Sequence, residues 1–339
     1  MKRVFPPSPE VLRVSEAVLA LQGSKERDPR RLAAAVKRLS DFFIAEPEGA
    51  TPWKEAWAVE AYFSYYLVLN EIRNRAVVLE GRKLGFFDGL DRAVDFGAGP
   101  GTADFALAAH AGIQSFSLID RSEVPGQRLR AAGADPNWRY FSRLEDSLFT
   151  SPSSTLFVAS YSLTEARIPP QALQCEALMI LEPSTQQDGR ELLKLRDHLR
   201  REGYHLWAPC THQGACPLLK NSPRDWCHDR VHVDRPEWLV RLENELPFRN
   251  QTVTFSYLLA RRTPPPPLPE GAARLIGDRL GEKGKDRQMV CRGEEREFLA
   301  WMHRQGPAPE WPRGALVQLP EGLKKTSNEI RVDRQLTIL

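Results

Sequence analysis

Apolar residues recur at steps of three and four near the start of the chain. Val11, Val14, Val18 and Leu21 fall on one face of a helix. The pattern predicts a helical region over 9–45 and a second helical stretch over 53–79. The second is rich in rings (Trp53, Trp57, Tyr62, Phe63, Tyr65, Tyr66) and reads as a core-facing helix. From Arg92 the period changes. Short apolar runs predict strands at Arg92–Phe96, Ser115–Ile119, Trp138–Phe141, Thr155–Ser160 and 177–181, with helices between them, for example over 103–111 and 165–174. This alternation signals βαβ units and a parallel sheet. A helix is expected over 187–201, then strands over 204–208 and 252–260, with a short helix near 236–246. The proline run TPPPPLPEG at 263–271 reads as a linker. Beyond it, strand-like pieces over 287–292, 315–319 and 329–332 predict a small β-rich appendage. The expected organisation is an N-terminal helical region (1–85), an α/β domain (86–262) with a cysteine-rich insert (209–248), the linker, and the appendage (272–339).

Composition narrows the class. The chain has 339 residues, with 47 Lys plus Arg against 44 Asp plus Glu, a net charge of +3. That is weak evidence for a polyanionic partner. In 274–304 eight basic residues face six acidic ones, a net of only +2. No apolar run approaches the roughly 20 residues of a membrane span. The first residues lack a secretory h-region, and Glu10 and Glu16 argue against a transit peptide. The expectation is a cytoplasmic, monomeric protein with no membrane or DNA partner.

Residues 93–103 read AVDFGAGPGTA. A strand carrying Asp95 leads into Gly97, Gly99 and Gly101, after which a helix begins. Glycines let the chain turn tightly and let a ligand approach the backbone. The next strand ends at Asp120, where a carboxylate can accept hydrogen bonds from ribose hydroxyls. A dinucleotide fingerprint needs glycine five residues after its first. From Gly97 that position is Thr102, and from Gly99 it is Asp104.

The pattern D-x-G-x-G-x-G instead resembles the first motif of Rossmann-like S-adenosylmethionine (SAM) methyltransferases. The resemblance implies a loop wrapping the methionine part of SAM, Asp120 on the ribose, and Asp95 fixing the loop or the ligand's amino group. After the fourth strand, ASYSLTE (159–165) lacks the Asn/Asp-Pro-Pro-aromatic motif of amino-directed methyltransferases. Ser160 and Tyr161 stand where the methyl group would be met, and the catalytic residues stay unassigned.

Four of the five cysteines remain to be explained. Cys210, Cys216 and Cys227 lie in WAPCTHQGACPLLKNSPRDWCH, and Cys291 follows 64 positions later. Four thiolates suit a tetrahedral metal or an iron–sulfur cluster. His212 and His228 keep a Cys/His zinc site open. Buried free cysteines or one disulfide are the plainer readings. Cys175 stands apart and reads as a small buried hydrophobe.

The string APCTHQGACPL followed by DWCH resembles the cysteine signature of the methyltransferase-like small-ribosomal-subunit assembly family. The glycine loop, ASYSLTE and LEPST (181–185) resemble that family in the same order, over about residues 50–300. The resemblance implies a [4Fe–4S] cluster on Cys210, Cys216, Cys227 and Cys291, with zinc as the alternative metal. It also implies SAM at Asp95, Gly97, Gly99, Gly101, Asp120 and Ser160. The partners implied are small-subunit rRNA and its precursor particle. Ser184 stands where the family usually has glycine, Asp229 where it has an aromatic residue, and the tail after about 305 matches poorly. The expected function is a SAM-binding, cluster-carrying protein of small-subunit assembly, acting as an rRNA methyltransferase. The alternatives are a non-catalytic assembly factor with a vestigial pocket, and a small-molecule methyltransferase with a structural zinc.

Overall fold

Proline sets the first helices. In the computed structural model, which describes residues 3–23, 28–134 and 138–339, β1 (Val4–Phe5) precedes α1 (Pro9–Leu21) and α2 (Pro29–Ala45). Pro9 and Pro29 each occupy the first helical turn, where a missing N–H costs nothing. The helical region expected over 9–45 is thus two helices, and Asp28 caps the second by accepting from Arg30 N at 3.0 Å. Residues 24–27 lie outside the described residues. The aromatic stretch is α3 (Ala56–Ala61), one π-helical turn over Tyr62–Tyr66, and α4 (Leu67–Leu84). Phe63 and Tyr65 in that turn are buried.

Strands and helices then alternate: β2 (Arg92–Phe96), α5 (Thr102–His110), β3 (Ser115–Ile119), α6 (Val124–Ala131), β4 (Trp138–Phe141), β5 (Thr155–Ser160) and β6 (Ala177–Glu182). The helix expected over 165–174 is only a 3-10 turn, Pro170–Gln174. Pro169 and Pro170 supply no N–H, so an α-helix cannot run through them. The order continues with α7 (Gln186–Arg201), β7 (His205–Ala208), α8 (Pro217–Asn221), β8 (Asp229–Val233), α9 (Glu237–Asn244) and β9 (Thr252–Arg261). The last strands are β10 (Ala272–Glu282), β11 (Lys285–Cys291), β12 (Glu297–Met302), β13 (Leu316–Gln318), β14 (Lys325–Thr326), β15 (Glu329–Arg331) and β16 (Thr337–Ile338).

Two compact units result. One comprises Val4–Glu182 and Val231–Val253; the other comprises Arg3, Pro183–Arg230 and Thr254–Leu339. The stretch 209–248 is therefore divided between them.

In the first unit five parallel strands lie in the order β4-β3-β2-β5-β6. The chain moves outward from β2 to β4, then returns to β5 on the other side. This is the order of a Rossmann-like α/β sheet. Its switch point lies between the carboxyl ends of β2 and β5, where such sheets bind ligands. Strand β2 is paired on both edges, with Asp95 opposite Leu118 and Val158, and Ala93, Val94 and Asp95 are buried, so neither face of its apolar run is exposed.

In the second unit β7 runs antiparallel to β9, with His205 opposite Arg261. A separate, mostly antiparallel sheet has the order β14-β15-β12-β11-β10-β13-β16. Its core gathers Leu275, Val290, Leu299, Trp301, Trp311 and Val317. Strand β10 pairs with β11 across a turn at Lys283 and Gly284, and Gly284 takes φ 83°. Among the described residues no helix is long and apolar enough to cross a membrane.

Candidate functional sites

The glycine loop leaves β2 and enters α5. Gly97, Gly99 and Gly101 all take positive φ (74°, 52° and 69°), which side-chain-bearing residues rarely adopt. A Cβ on Gly97 would meet Ser162 Cβ at 2.5 Å, and one on Gly101 would meet the Trp138 ring at 2.7 Å. The loop after β2 and the loop after β5 therefore touch. The loop's own donors are spent at home. Gly97 N and Ala98 N donate to Ile119 O, Gly101 N to Ala98 O, and Gly99 N to Asp120 Oδ2 at 2.9 Å. Its service to a ligand is space.

Asp120 closes β3 and braces two turns at once, because its Oδ1 also accepts from Ser122 N at 2.8 Å. Burial holds its carboxyl above the ordinary range despite those donors. Glu165 is pushed up to about 7, by burial and then by the charge of Asp120. Asp95 lies beneath the loop, 1% exposed, and feels the charge of the wholly buried Asp104 of α5. The crevice is thus acidic.

Sequence reasoning missed the contributions of the N-terminal helices. Asn74 of α4 donates from Nδ2 to Ser160 Oγ at 3.0 Å, and its buried Oδ1 has no partner among the described residues. Tyr62, in the π-helical turn, hydrogen bonds to Thr102 and Asn70, and burial pushes it up to about 12. A Cβ on Gly99 would lie 3.5 Å from the Trp53 ring. π-Helical turns are rare and frequent at functional sites, and YFSYY was the available signal. Tyr161, next to Ser160, holds φ 61°, an uncommon conformation for a bulky residue.

The second unit carries the cysteines. Cys210 follows β7, Cys216 precedes α8, Cys227 precedes β8, and Cys291 ends β11. All four line one cavity, with Leu192, Leu218, Tyr257 and Ile276 among its apolar walls. Each thiol interacts electrostatically with the other three. Burial first, then this mutual repulsion, raises Cys227 well above the ordinary thiol value and Cys291 to about 12. None of the five cysteines is in a disulfide, and Cys175 is wholly buried on its own.

Two cationic or donor groups face the thiols. Arg196 of α7, 1% exposed, donates from Nε to Cys210 Sγ at 3.4 Å and from Nη2 to His212 O at 3.4 Å. His212 lines the same cavity. Burial and then Arg196 push its imidazole down to about 4. His228 is pushed down to about 4 by burial and then by Arg313. Among the described residues, no group of three or more His, Cys, Asp or Glu is arranged to hold a metal ion. Neither the four thiols nor the Cys/His combination meets that requirement as they stand.

Residues 90–300 match the family described as "Mitochondrial small ribosomal subunit Rsm22". No curated relative matches the chain. Similar solved structures include an rRNA methylase from Streptococcus thermophilus (14% identity, 55% of this chain, 93% of that chain, TM-score 0.31). Others are an O-methyltransferase family protein from Burkholderia thailandensis (15% identity, 75% and 72%, TM-score 0.34) and a precorrin-6y C5,15-methyltransferase from Geobacter metallireducens (13% identity, 55% and 87%, TM-score 0.35).

Proposed function

Because the chain belongs to the mitochondrial small ribosomal subunit Rsm22 family, we propose that it is a SAM-dependent methyltransferase acting in assembly of the small ribosomal subunit, with rRNA in the precursor particle as its partner. The observation that carries the SAM reading is the acidic, glycine-lined crevice at the switch point. Asp95, Asp104, Asp120 and Glu165 gather there. Those of them that ionise repel a dinucleotide pyrophosphate and favour a ligand bearing a sulfonium and an ammonium. Bound SAM would supply an electrophilic methyl group. Gly97, Gly99 and Gly101 would leave room for its methionine part, and Asp120 would accept from the ribose. Asn74 would orient Ser160 at the methyl edge.

We further propose that Cys210, Cys216, Cys227 and Cys291 hold a [4Fe–4S] cluster. Four thiols around one cavity and a buried guanidinium at Cys210 support an anionic, sulfur-rich group. Thiolates on the corners of a cubane also stand farther apart than thiolates on one ion, which fits their failure to form a single-ion site. Such a group would join the 210–227 segment to β11 and couple metal binding to folding of this unit.

The absence of an amino-methyltransferase motif in ASYSLTE supports a second reading, a non-catalytic assembly factor that uses SAM structurally. One experiment separates them: anaerobically purified protein, methyl-labelled SAM and small-subunit precursor particles. Label in rRNA that is lost with Asp120→Asn is the expected result. SAM and particle binding without label selects the assembly factor. A chain that binds neither SAM nor the particle overturns the proposal.

A further inference from the structure

On the wall of the four-cysteine cavity, His212 carries a buried ring nitrogen that finds no hydrogen-bond partner among the described residues. His212 Nδ1 accepts a hydrogen bond from Gly214 N at 3.1 Å. A neutral imidazole accepting at Nδ1 carries its proton on Nε2. That Nε2 is buried and has no partner among the described residues. A buried donor left unmade costs about 1–3 kcal/mol, so such atoms call for an explanation. The backbone of the same residue is held by Arg196 Nη2, whose Nε donates to Cys210 Sγ. The imidazole is thus held at Nδ1 and its backbone at the carbonyl, while its Nε2–H is left over beside the cavity that the four cysteines line.

We propose that His212 Nε2–H donates a hydrogen bond to sulfur of the group held by the four cysteines, and that His212 and Arg196 together set that group's reduction potential. This rests on the cluster reading above. The reasoning is electrostatic. A cubane with four thiolates is anionic, and its reduction adds one more negative charge inside an apolar wall. Hydrogen bonds to the sulfurs stabilise the more negative state and raise the potential. Arg196 supplies charge and one donor to Cys210. His212 supplies a neutral donor, and because its Nε2 carries the proton in this arrangement it is not free to act as a ligand.

The test compares anaerobically purified wild-type, His212→Phe and His212→Gln chains by iron content and by potentiometric titration. With equal iron, His212→Phe should titrate at a more negative potential, and His212→Gln, which keeps an N–H, should recover part of the shift. Equal potentials in wild type and His212→Phe overturn the inference and leave the cluster reading standing. Wild type lacking iron overturns both. Should His212→Phe lose its iron, the wild type alone decides by pulsed electron paramagnetic resonance of reduced, 15N-histidine-labelled protein. A weak 15N coupling supports the hydrogen bond, and no coupling overturns it.

Discussion

Asp95 and Asp104 face each other beneath the glycine loop, a β2 carboxyl against an α5 carboxyl, both withdrawn from water. Burial pushes Asp104 up to about 7. Burial, followed by the charge of Asp104, lifts Asp95 well above the ordinary carboxyl value. Two charges so close in such a place cannot both form cheaply, and the pair keeps a proton near neutral pH.

Stability should therefore fall as the pH rises. Folding raises both pKa values, so the folded chain binds more protons than the unfolded chain above about pH 4. The pair's stabilising contribution is complete below about pH 4 and is lost as the pH passes through about 7 for Asp104. Glu71, also raised to about 7 by burial, adds to the same fall. Asp104→Asn should flatten the profile between acidic and mildly basic pH by on the order of 2–4 kcal/mol, at about 1.4 kcal/mol per unit. Urea unfolding at several pH values checks this. An unchanged slope in the variant would mean that the two carboxyls do not share a proton.

The three loop glycines should not be equally sensitive. Gly99→Ala meets only ordinary contact with Trp53, so its cost is the left-handed backbone, about 1–2 kcal/mol. Gly97→Ala and Gly101→Ala add overlaps with Ser162 and with Trp138 and Leu118, bringing the loss to about 3 kcal/mol or more. Thermal unfolding of the three variants gives the order, and SAM titration should show weakened binding in all. Equal losses at the three positions would contradict the packing.

Gly189 inverts a familiar rule. Glycine to alanine inside α7 should add about 1 kcal/mol of helix propensity. Here the new Cβ would lie 2.4 Å from the Trp226 ring, whose Nε1–H donates to Ser184 O at 2.8 Å. Displacing Trp226 moves its neighbour Cys227. Gly189→Ala should destabilise the unit by about 1–3 kcal/mol and, on the proposed cluster, lower the iron bound per chain. A stabilised variant with full iron would show that the close approach does not matter.

Glu243 of α9 is wholly buried and fully engaged. It accepts from Tyr65 Oη at 3.1 Å and Asn250 N at 2.9 Å, and pairs with Arg235 Nη1 at 2.7 Å. Glu243→Ala leaves a largely buried guanidinium without its partner, a loss of about 3–5 kcal/mol. Tyr65→Phe removes two hydrogen bonds, the one it donates to Glu243 and the one it accepts from Asn250 Nδ2, and should cost about 2 kcal/mol. Chemical denaturation of both variants measures the difference. A mild Glu243→Ala would show that Arg235 finds another partner.

Much of the α/β unit was legible because its signals are local. Strands β2 to β5 fall at the expected positions, since apolar runs and glycine turns are properties of consecutive residues. The errors are local too. A helix expected over 165–174 stops at Pro169 and Pro170, and 9–45 divides around a turn that helix periodicity does not register. In the C-terminal sheet, β10 and β12 escaped notice. Their pattern is broken by charged residues such as Arg274 and Glu297, which the fold buries by pairing: Arg274 donates to Gly314 O, and Glu297 accepts from Arg292.

By itself the amino-acid sequence determined the period of each element, the positive-φ loop at Gly97–Gly101, and the stock of four thiols outside Cys175. These follow from steric and hydrogen-bonding rules acting over a few residues. Only the tertiary structure decided that Asn74 reaches Ser160, that Asp104 faces Asp95, and that Cys291 meets thiols more than 60 positions earlier in one cavity beside a buried His212 Nε2. Those relationships depend on the path of the chain through space, where burial removes water and leaves each polar group to find its partner across long sequence separations.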